Sequence, residues 1–331
     1  MEHPLHSIDC RWLLALYAVI PLSILLVAID LLLWDGWLGN EILPGDPNDW
    51  PIWAVLFGLP HIIASLLTMA NGEYLAHYRR TLFPPLCLFL LIAVAGHFGP
   101  QPVSYNLLFV FLAFYTIYHV LAQQLGLTLM MLGTRPDRLY RFWKWLAILA
   151  GFAIYINVYG MRFLGEWQVA GVSGYQLMSA LGSGLCAAVV VLSWRLARRA
   201  KPGIGRWYLW ANAAMLVSAL LINEAGYTLF VILIPRVIHD LTAYSVYITH
   251  DRNRNRSGAG NLYYRLTRAS SWSPFIVLPL VSLLIAYALT SYQNYPWVNI
   301  AILTISFLHY YYEGFIWRGP NPHRQYVAFK R

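Results

Sequence analysis

Charged residues are scarce in this sequence. Asp, Glu, Lys and Arg make up only 11% of its 331 residues, whereas roughly 25% is usual in a soluble domain. Long hydrophilic segments, which a separate soluble domain would require, are also missing, and hydrophobic residues make up 59% of the chain. This composition excludes an ordinary soluble globular protein and predicts a polytopic integral membrane protein.

Cysteine is scarce as well. Cys10 precedes the first apolar run, while Cys87 and Cys186 lie in apolar runs of different segments, and this spacing predicts no disulfide framework. A signal-peptide cleavage pattern is also lacking. The first apolar run, Trp12 to Trp34, is longer than a signal-peptide core and is followed by no small-x-small site, so we expect it to be retained as a helix.

Apolar runs long enough to cross a bilayer recur along the chain. A helix of about 20 residues spans a hydrocarbon core about 30 Å thick. The sequence predicts such helices at residues 12–34, 52–70, 84–98, 105–131, 142–160, 175–195, 207–223, 227–249, 272–291 and 297–317. The predicted fold class is therefore all-α, with about ten transmembrane helices in one bundle that forms a single domain over residues 1–331.

The net charge of +9 predicts membrane orientation. Lys and Arg fall in short clusters at every second connection between the apolar runs and at the two termini, and only Arg162 and Arg236 lie elsewhere. The positive-inside rule then places both termini in the cytoplasm. We therefore expect the lipid bilayer as a partner, no nucleic acid, and a location in the bacterial inner membrane.

Four histidines lie near the centres of four predicted helices that run in the same direction. They are His61, His119, His239 and His309. Because each helical residue rises about 1.5 Å, the four imidazoles are expected within ~5 Å of one depth. A single histidine in such a helix is usually a structural ring bonded to a carbonyl group. Four at one depth predict a midplane metal site, and imidazole is the usual ligand of Zn, Cu, Fe and Ni.

Acidic and phenolic side chains accompany this set. Asp240 follows His239 directly, and Glu313 lies four residues after His309 and so on the same helix face. Neutral histidines alone would leave the charge of a divalent ion uncompensated, so both carboxylates are candidate catalytic residues or further ligands. Tyr244 is a third catalytic candidate, because a phenol could donate a hydrogen bond to an oxygen intermediate, although most aromatic side chains in the sequence are expected in the core or at the membrane interface.

Further polar residues are candidates for orienting the metal ligands or a cofactor. Gln123 lies four residues after His119, and Ser65 stands in the same relation to His61. At such positions side chains fix the ring orientation and tautomer of a ligating histidine. Arg236, one turn before Asp240, is a candidate ion-pair partner of that carboxylate.

The segment PRVIHDLTAYSVYITHD, residues 235–251, carries two histidines that cannot share one metal ion. His239 and His250 are eleven residues apart, which places them on nearly the same helix face but ~16 Å apart along the axis. His239 is therefore assigned to the midplane site. His250 and Asp251 are expected as an interfacial pair, with a second polar or cofactor site or a proton path as the alternative. Pro235 is expected to kink the helix just before His239.

The pattern favours a membrane metalloenzyme with a redox-active metal that activates dioxygen against a lipophilic substrate. It resembles the Brp/Blh-type membrane β-carotene dioxygenases in its histidines dispersed over separate helices, in Gly58, Pro60 and His61 of a Gly-x-Pro-His motif, and in the His-Phe-Gly at residues 97–99. The resemblance implies a single non-haem iron held by dispersed histidines and cleavage of the central double bond of β-carotene with O₂. More generally, we expect a lipophilic substrate with a carotenoid, isoprenoid or acyl chain.

Other classes of function remain open. Pairs of histidines on facing helices also bind haem axially, so a haem or quinone electron-transfer protein is one alternative. A transporter or proton channel that uses His, Asp and Glu as a relay is another, although no internal repeat supports it. A structural membrane subunit with polar helix contacts is the third.

Overall fold

The structure is a computed structural model, which describes residues 5–45, 58–255, 265, 267, 269 and 272–330. It is about 82% helical with almost no sheet, which confirms an all-α fold. The elements in chain order are β1 (Ser7–Asp9), α1 (Cys10–Ala15), a 3-10 turn (Leu16–Ala18), α2 (Val19–Leu33), a π turn (Leu38–Ile42), α3 (Leu59–Met69), α4 (Gly72–Phe98), α5 (Val103–Leu132), α6 (Arg138–Tyr159), α7 (Met161–Glu166), β2 (Gln168–Val169), β3 (Val172–Ser173), α8 (Gly174–Arg199), α9 (Ile204–Glu224), α10 (Thr228–Asn255), α11 (Pro274–Ser291), α12 (Pro296–Ile316), a second 3-10 turn (Arg324–Tyr326) and β4 (Ala328–Lys330).

Seven helical segments in the described part of the chain are long and apolar enough to cross a membrane. They are Cys10–Leu33, which comprises α1 and α2, and helices α4, α5, α6, α8, α10 and α11. These segments indicate a multi-pass integral membrane protein, but the predicted count of ten spans is wrong.

The other three predicted spans coincide with helices α3, α9 and α12, which are not both long and apolar enough to cross a membrane. The reason differs between them. Helix α3 has 11 residues, so it covers only ~16 Å; residues 46–57, which include the start of the predicted span 52–70, lie outside the described residues. Helices α9 and α12 have 21 residues each, so they are long enough to cross a membrane, and their composition is what separates them from the seven segments. Polar side chains within them, such as Asn212 and Glu313, lower their mean hydropathy.

The chain divides into two compact units. The first unit comprises Met1–Cys10, Pro51–Tyr115 and Asp240–Lys330, and the second comprises Arg11–Trp50 and Thr116–His239 together with Arg331. Three of the boundaries therefore fall inside continuous helices, α1, α5 and α10, and the one at 50/51 lies outside the described residues. The prediction that residues 1–331 form a single transmembrane domain stays a prediction.

Within the first unit, α3 packs against α11 and α12, and α4 packs against α12. Strands β1 and β4 pair in parallel, so the two ends of the described chain lie side by side. The Asn253 side chain, near the end of α10, donates hydrogen bonds to the backbone oxygens of His6 and Tyr326 over 2.9 and 2.8 Å. Both terminal segments are thus fixed to the end of α10.

Within the second unit, α6, α8 and α9 pack on one another, and α9 also contacts α2. A Cβ atom on Gly151 would lie only 2.7 Å from Leu121, so the glycine permits a close approach of α6 to α5. The buried Trp143 indole N–H donates to Ser193 Oγ over 2.8 Å, which joins α6 to α8. Pro235 lies inside α10, which continues through it to Asn255.

Candidate metal centre

The sequence around His61 determines how α3 begins. Gly58 precedes the helix with a φ of +88°, a backbone region that glycine adopts without the cost of a Cβ atom. Pro60 lies in the first turn, where its missing N–H breaks no helical hydrogen bond. The backbone N–H of Gly58 donates to Asp240 Oδ2 over 3.0 Å, so the start of α3 is bonded to a carboxylate of α10.

The second oxygen of the same carboxylate orients His61. Asp240 Oδ1 lies 3.0 Å from His61 Nδ1, within ion-pair distance, and both residues are buried. A carboxylate only accepts, so this contact favours the imidazole proton on Nδ1 and leaves the lone pair that a metal requires on Nε2. Arg236, the predicted ion-pair partner of Asp240, is half-buried on α10.

Ser65 plays the corresponding part for His309. Its hydroxyl donates to the backbone oxygen of Ile62 over 2.7 Å, and its oxygen lies 2.6 Å from His309 Nδ1. The Tyr312 hydroxyl also bonds to Ser65 Oγ. A serine hydroxyl has one hydrogen and two acceptor sites, so it accepts from both the Tyr312 O–H and the His309 Nδ1–H. The network thereby assigns the lone pair of His309 to Nε2.

The histidines also contact one another within each unit. In the first unit, the rings of His61 and His309 lie edge to face with centroids 5.0 Å apart. In the second unit, His119 on α5 and His239 on α10 form a similar pair with centroids 4.8 Å apart. All four rings are buried, with 5% exposure or less.

The ligand atoms of these four histidines lie within 4.8 Å of one another. Two nitrogens bound to one ion at about 2.1 Å are at most about 4.2 Å apart, so binding a single ion would require the widest pair to approach by no more than about 0.6 Å. Buried imidazoles at this separation form a donor set that fits a transition metal ion. The structure thus brings together the four histidines that the sequence analysis selected, inside an apolar helical protein.

Glu313 is a buried carboxylate one turn beyond His309 on α12. Its Oε1 accepts a hydrogen bond from the Tyr247 hydroxyl and another from the Trp317 indole N–H over 3.2 Å. The sequence indicated Glu313 from its spacing to His309, but it did not indicate its two donors. Tyr247 precedes Asp251 by one helical turn among many aromatic residues, so no local signal distinguished it.

Other predicted site residues have partners of their own. His250 lies outside the group of four, as its spacing from His239 predicts; its Nδ1 lies 2.8 Å from Asp251 Oδ1. The Tyr244 hydroxyl lies 2.8 Å from Ser282 Oγ on α11. Gln123 accepts a hydrogen bond from the neighbouring Gln124 side chain over 3.2 Å. The predicted catalytic and cofactor-binding roles of these residues stay predictions.

Comparisons with family models, with curated proteins and with solved structures found no match. The functional inference therefore depends on the residues of this chain and their geometry. The likeness in short motifs to the Brp/Blh-type dioxygenases stays a resemblance.

Proposed function

We propose that this chain is an integral-membrane metalloenzyme, a non-haem iron oxygenase that acts on a lipophilic substrate. The observation that carries the proposal is the group of four buried histidines with ligand atoms within 4.8 Å of one another. Two of them, His61 and His309, have partners on Nδ1 that direct Nε2 toward a metal. This is how outer partners orient the histidine ligands of metal sites.

The same geometry supports a bare ion over haem. A haem iron binds one axial nitrogen on each face of the porphyrin, and the macrocycle fills the plane between them. Two of the four nitrogens could therefore bind haem, but the other two, within 4.8 Å of both, would overlap the macrocycle. The preference for iron over Zn, Cu or Ni comes from the motif resemblance, since imidazole suits all four metals.

A redox-active ion held there would supply the activation of dioxygen. The protein contributes the surroundings. The Asp240 carboxylate orients His61 and places one negative charge beside a neutral donor set. The apolar helices exclude bulk water, which strengthens electrostatic interactions at the site and suppresses competing reactions, and they admit carotenoid, isoprenoid or acyl-chain substrates from the bilayer. Glu313, four residues after His309 on the same helix, is the proposed proton acceptor.

Metal content tests this proposal. Protein purified without chelators is expected to contain close to one iron per chain by plasma mass spectrometry and to show no Soret band. The variants His61→Ala and His239→Ala are expected to lose the metal while remaining folded, because each removes one donor from a buried set. His97→Ala is the matched control, since His97 is half-buried and outside the group. A metal-free wild type, or equal metal content in all variants, contradicts the proposal.

A further inference from the structure

Aromatic rings in the first unit form a series, buried except for the half-buried Trp317, that the metal site does not use. Tyr247 stacks on Trp317 with ring centroids 6.0 Å apart, and Trp317 meets His250 edge to face at 5.8 Å. His250 in turn lies 5.7 Å from the ring of Tyr74. We call these four residues the ring chain. It joins α10, α12 and α4 through consecutive ring contacts.

Each oxidisable ring in this chain has a base within hydrogen-bond distance. Tyr247 and Trp317 both donate to Glu313 Oε1. The Tyr74 hydroxyl lies 2.9 Å from His250 Nε2. The other nitrogen of His250 faces the Asp251 carboxylate at 2.8 Å, which holds the imidazole proton on Nδ1. Nε2 is therefore the acceptor of the Tyr74 O–H.

This pairing matters for one-electron chemistry. A phenol or an indole that loses an electron becomes a strong acid, and expelling its proton into an apolar interior without an acceptor would be costly. A base already hydrogen-bonded to the O–H or N–H accepts the proton as the electron leaves. Packing alone requires ring contacts but does not require a base beside every oxidisable ring.

The two ends of the ring chain lie near different features. At one end, Glu313 directly follows Tyr312, whose ring lies 5.7 Å from His309. At the other end, the Arg254 guanidinium lies over the Tyr74 ring at 4.8 Å and pairs with Glu73, whose side chain is 62% exposed. At Tyr74 the series thus approaches the protein surface on the predicted cytoplasmic side. Its other end, Tyr247, is hydrogen-bonded to the residue that follows the ring neighbour of His309.

We propose that Tyr247, Trp317 and Tyr74 form a one-electron relay between the histidine site and the predicted cytoplasmic surface. The proposal depends on the proposed function, since the metal ion is the acceptor. Tyr247 loses one electron to the ion, its O–H bond breaks, and the proton binds Glu313. An electron from a soluble iron–sulfur or flavin protein then passes through Tyr74 and Trp317 to the Tyr247 radical. The proton returns from Glu313, so the relay itself is unchanged after each transfer.

Photochemical oxidation tests the relay without relying on turnover. A ruthenium photosensitiser is attached at Ala76→Cys, an exposed position two residues beyond Tyr74, in a Cys87→Ser background that removes the exposed native thiol. A flash with an irreversible electron acceptor produces ruthenium(III), which removes one electron from the protein. Transient absorbance and electron paramagnetic resonance then record the tyrosyl and tryptophanyl radicals. The full chain is used as purified, and its metal content is measured separately.

The expected result is a radical shared between Tyr74, Trp317 and Tyr247. Tyr247→Phe is expected to lower the tyrosyl signal, and Trp317→Phe is expected to confine the radical to Tyr74. In the Trp317→Phe background, adding Tyr247→Phe should then leave the radical yield and spectrum unchanged. Trp297→Phe is the matched control, because Trp297 lies on the same helix but is 68% exposed and outside the ring chain.

The opposite pattern overturns the relay. Identical radical yields in wild type, Tyr247→Phe and Trp317→Phe would show that electrons do not use these rings. Because this readout requires no bound metal, an intact relay in metal-free protein would contradict the metal proposal alone. If the protein contains metal but neither Tyr247→Phe nor Trp317→Phe changes the radical yield, only the relay is contradicted.

Discussion

Replacing Ser65 by Ala is expected to weaken metal binding without removing any metal ligand. Ser65 Oγ lies 2.6 Å from His309 Nδ1, and the His309 ring has 0% exposure. The substitution removes the acceptor that fixes this ring and its tautomer. Loss of such an outer partner typically reduces metal affinity by about 10–100-fold, which corresponds to about 1.4–2.7 kcal/mol of binding free energy.

The chain offers a closely matched control for this substitution. Ser282 is also a fully buried serine of the first unit. It also bonds a tyrosine hydroxyl, that of Tyr244 at 2.8 Å, and it also donates to the backbone of its own helix, to Leu278 O over 2.8 Å. Both serines therefore lose comparable hydrogen bonds on truncation, about 1 kcal/mol each, but only Ser65 contacts a histidine.

Competition with a chelator of known affinity measures the difference. The dissociation constant of the metal should rise about 10–100-fold in Ser65→Ala and stay at the wild-type value in Ser282→Ala, with similar thermal stability in the two variants. Unchanged metal affinity in folded Ser65→Ala would refute the role of Ser65 in orienting His309. An equal loss in both variants would show that the effect is one of general destabilisation.

Two further predictions concern stability. Burial, with added contributions from His250 and Arg254, lowers the pKa of His323 to about 2. Below about pH 6.5 the unfolded chain therefore binds more protons than the folded chain. The free energy of unfolding is highest above that pH and should fall by up to about 1.4 kcal/mol per pH unit on acidification. Denaturant titrations of detergent-solubilised protein should show a shallower decline for His323→Gln but not for the control His97→Gln. Gly58→Ala should cost about 1–3 kcal/mol, because alanine is strained at a φ of +88°. Gly184→Ala is the control for thermal unfolding, because a Cβ atom at Gly184 meets nothing within 4 Å. Equal changes in melting temperature in the two variants would contradict backbone strain at Gly58.

The grouping of the four histidines was predictable because it depends on local geometry. Each residue of a helix rises by a fixed amount, so the positions of His61, His119, His239 and His309 within their apolar runs predicted a common level, and the structure places their ligand atoms within 4.8 Å of one another. The same rise separated His250 from His239. The hydropathy of the runs determined the all-α membrane class, since each helix must satisfy its own backbone hydrogen bonds in lipid.

The number of spans was predicted incorrectly from the apolar runs. Helix α12 is long enough to cross a membrane, but polar side chains such as His309 and Glu313 lower its mean hydropathy, so it is not among the seven apolar segments. Both side chains are buried, and only the folded chain shows which groups bond to them.

The sequence by itself thus determined which residues could form a site, and the tertiary structure decided how their polar atoms are paired. Asp240 reaches Gly58 across 182 residues of sequence, and Ser65 reaches His309 across 244. Which face of one helix meets which face of another depends on the packing of all the helices around them, and no local pattern encodes it. For this reason the partners of His61 and His309, from which their proton positions are inferred, and the hydrogen bonds of Tyr247 and Trp317 to Glu313 emerged only from the folded chain.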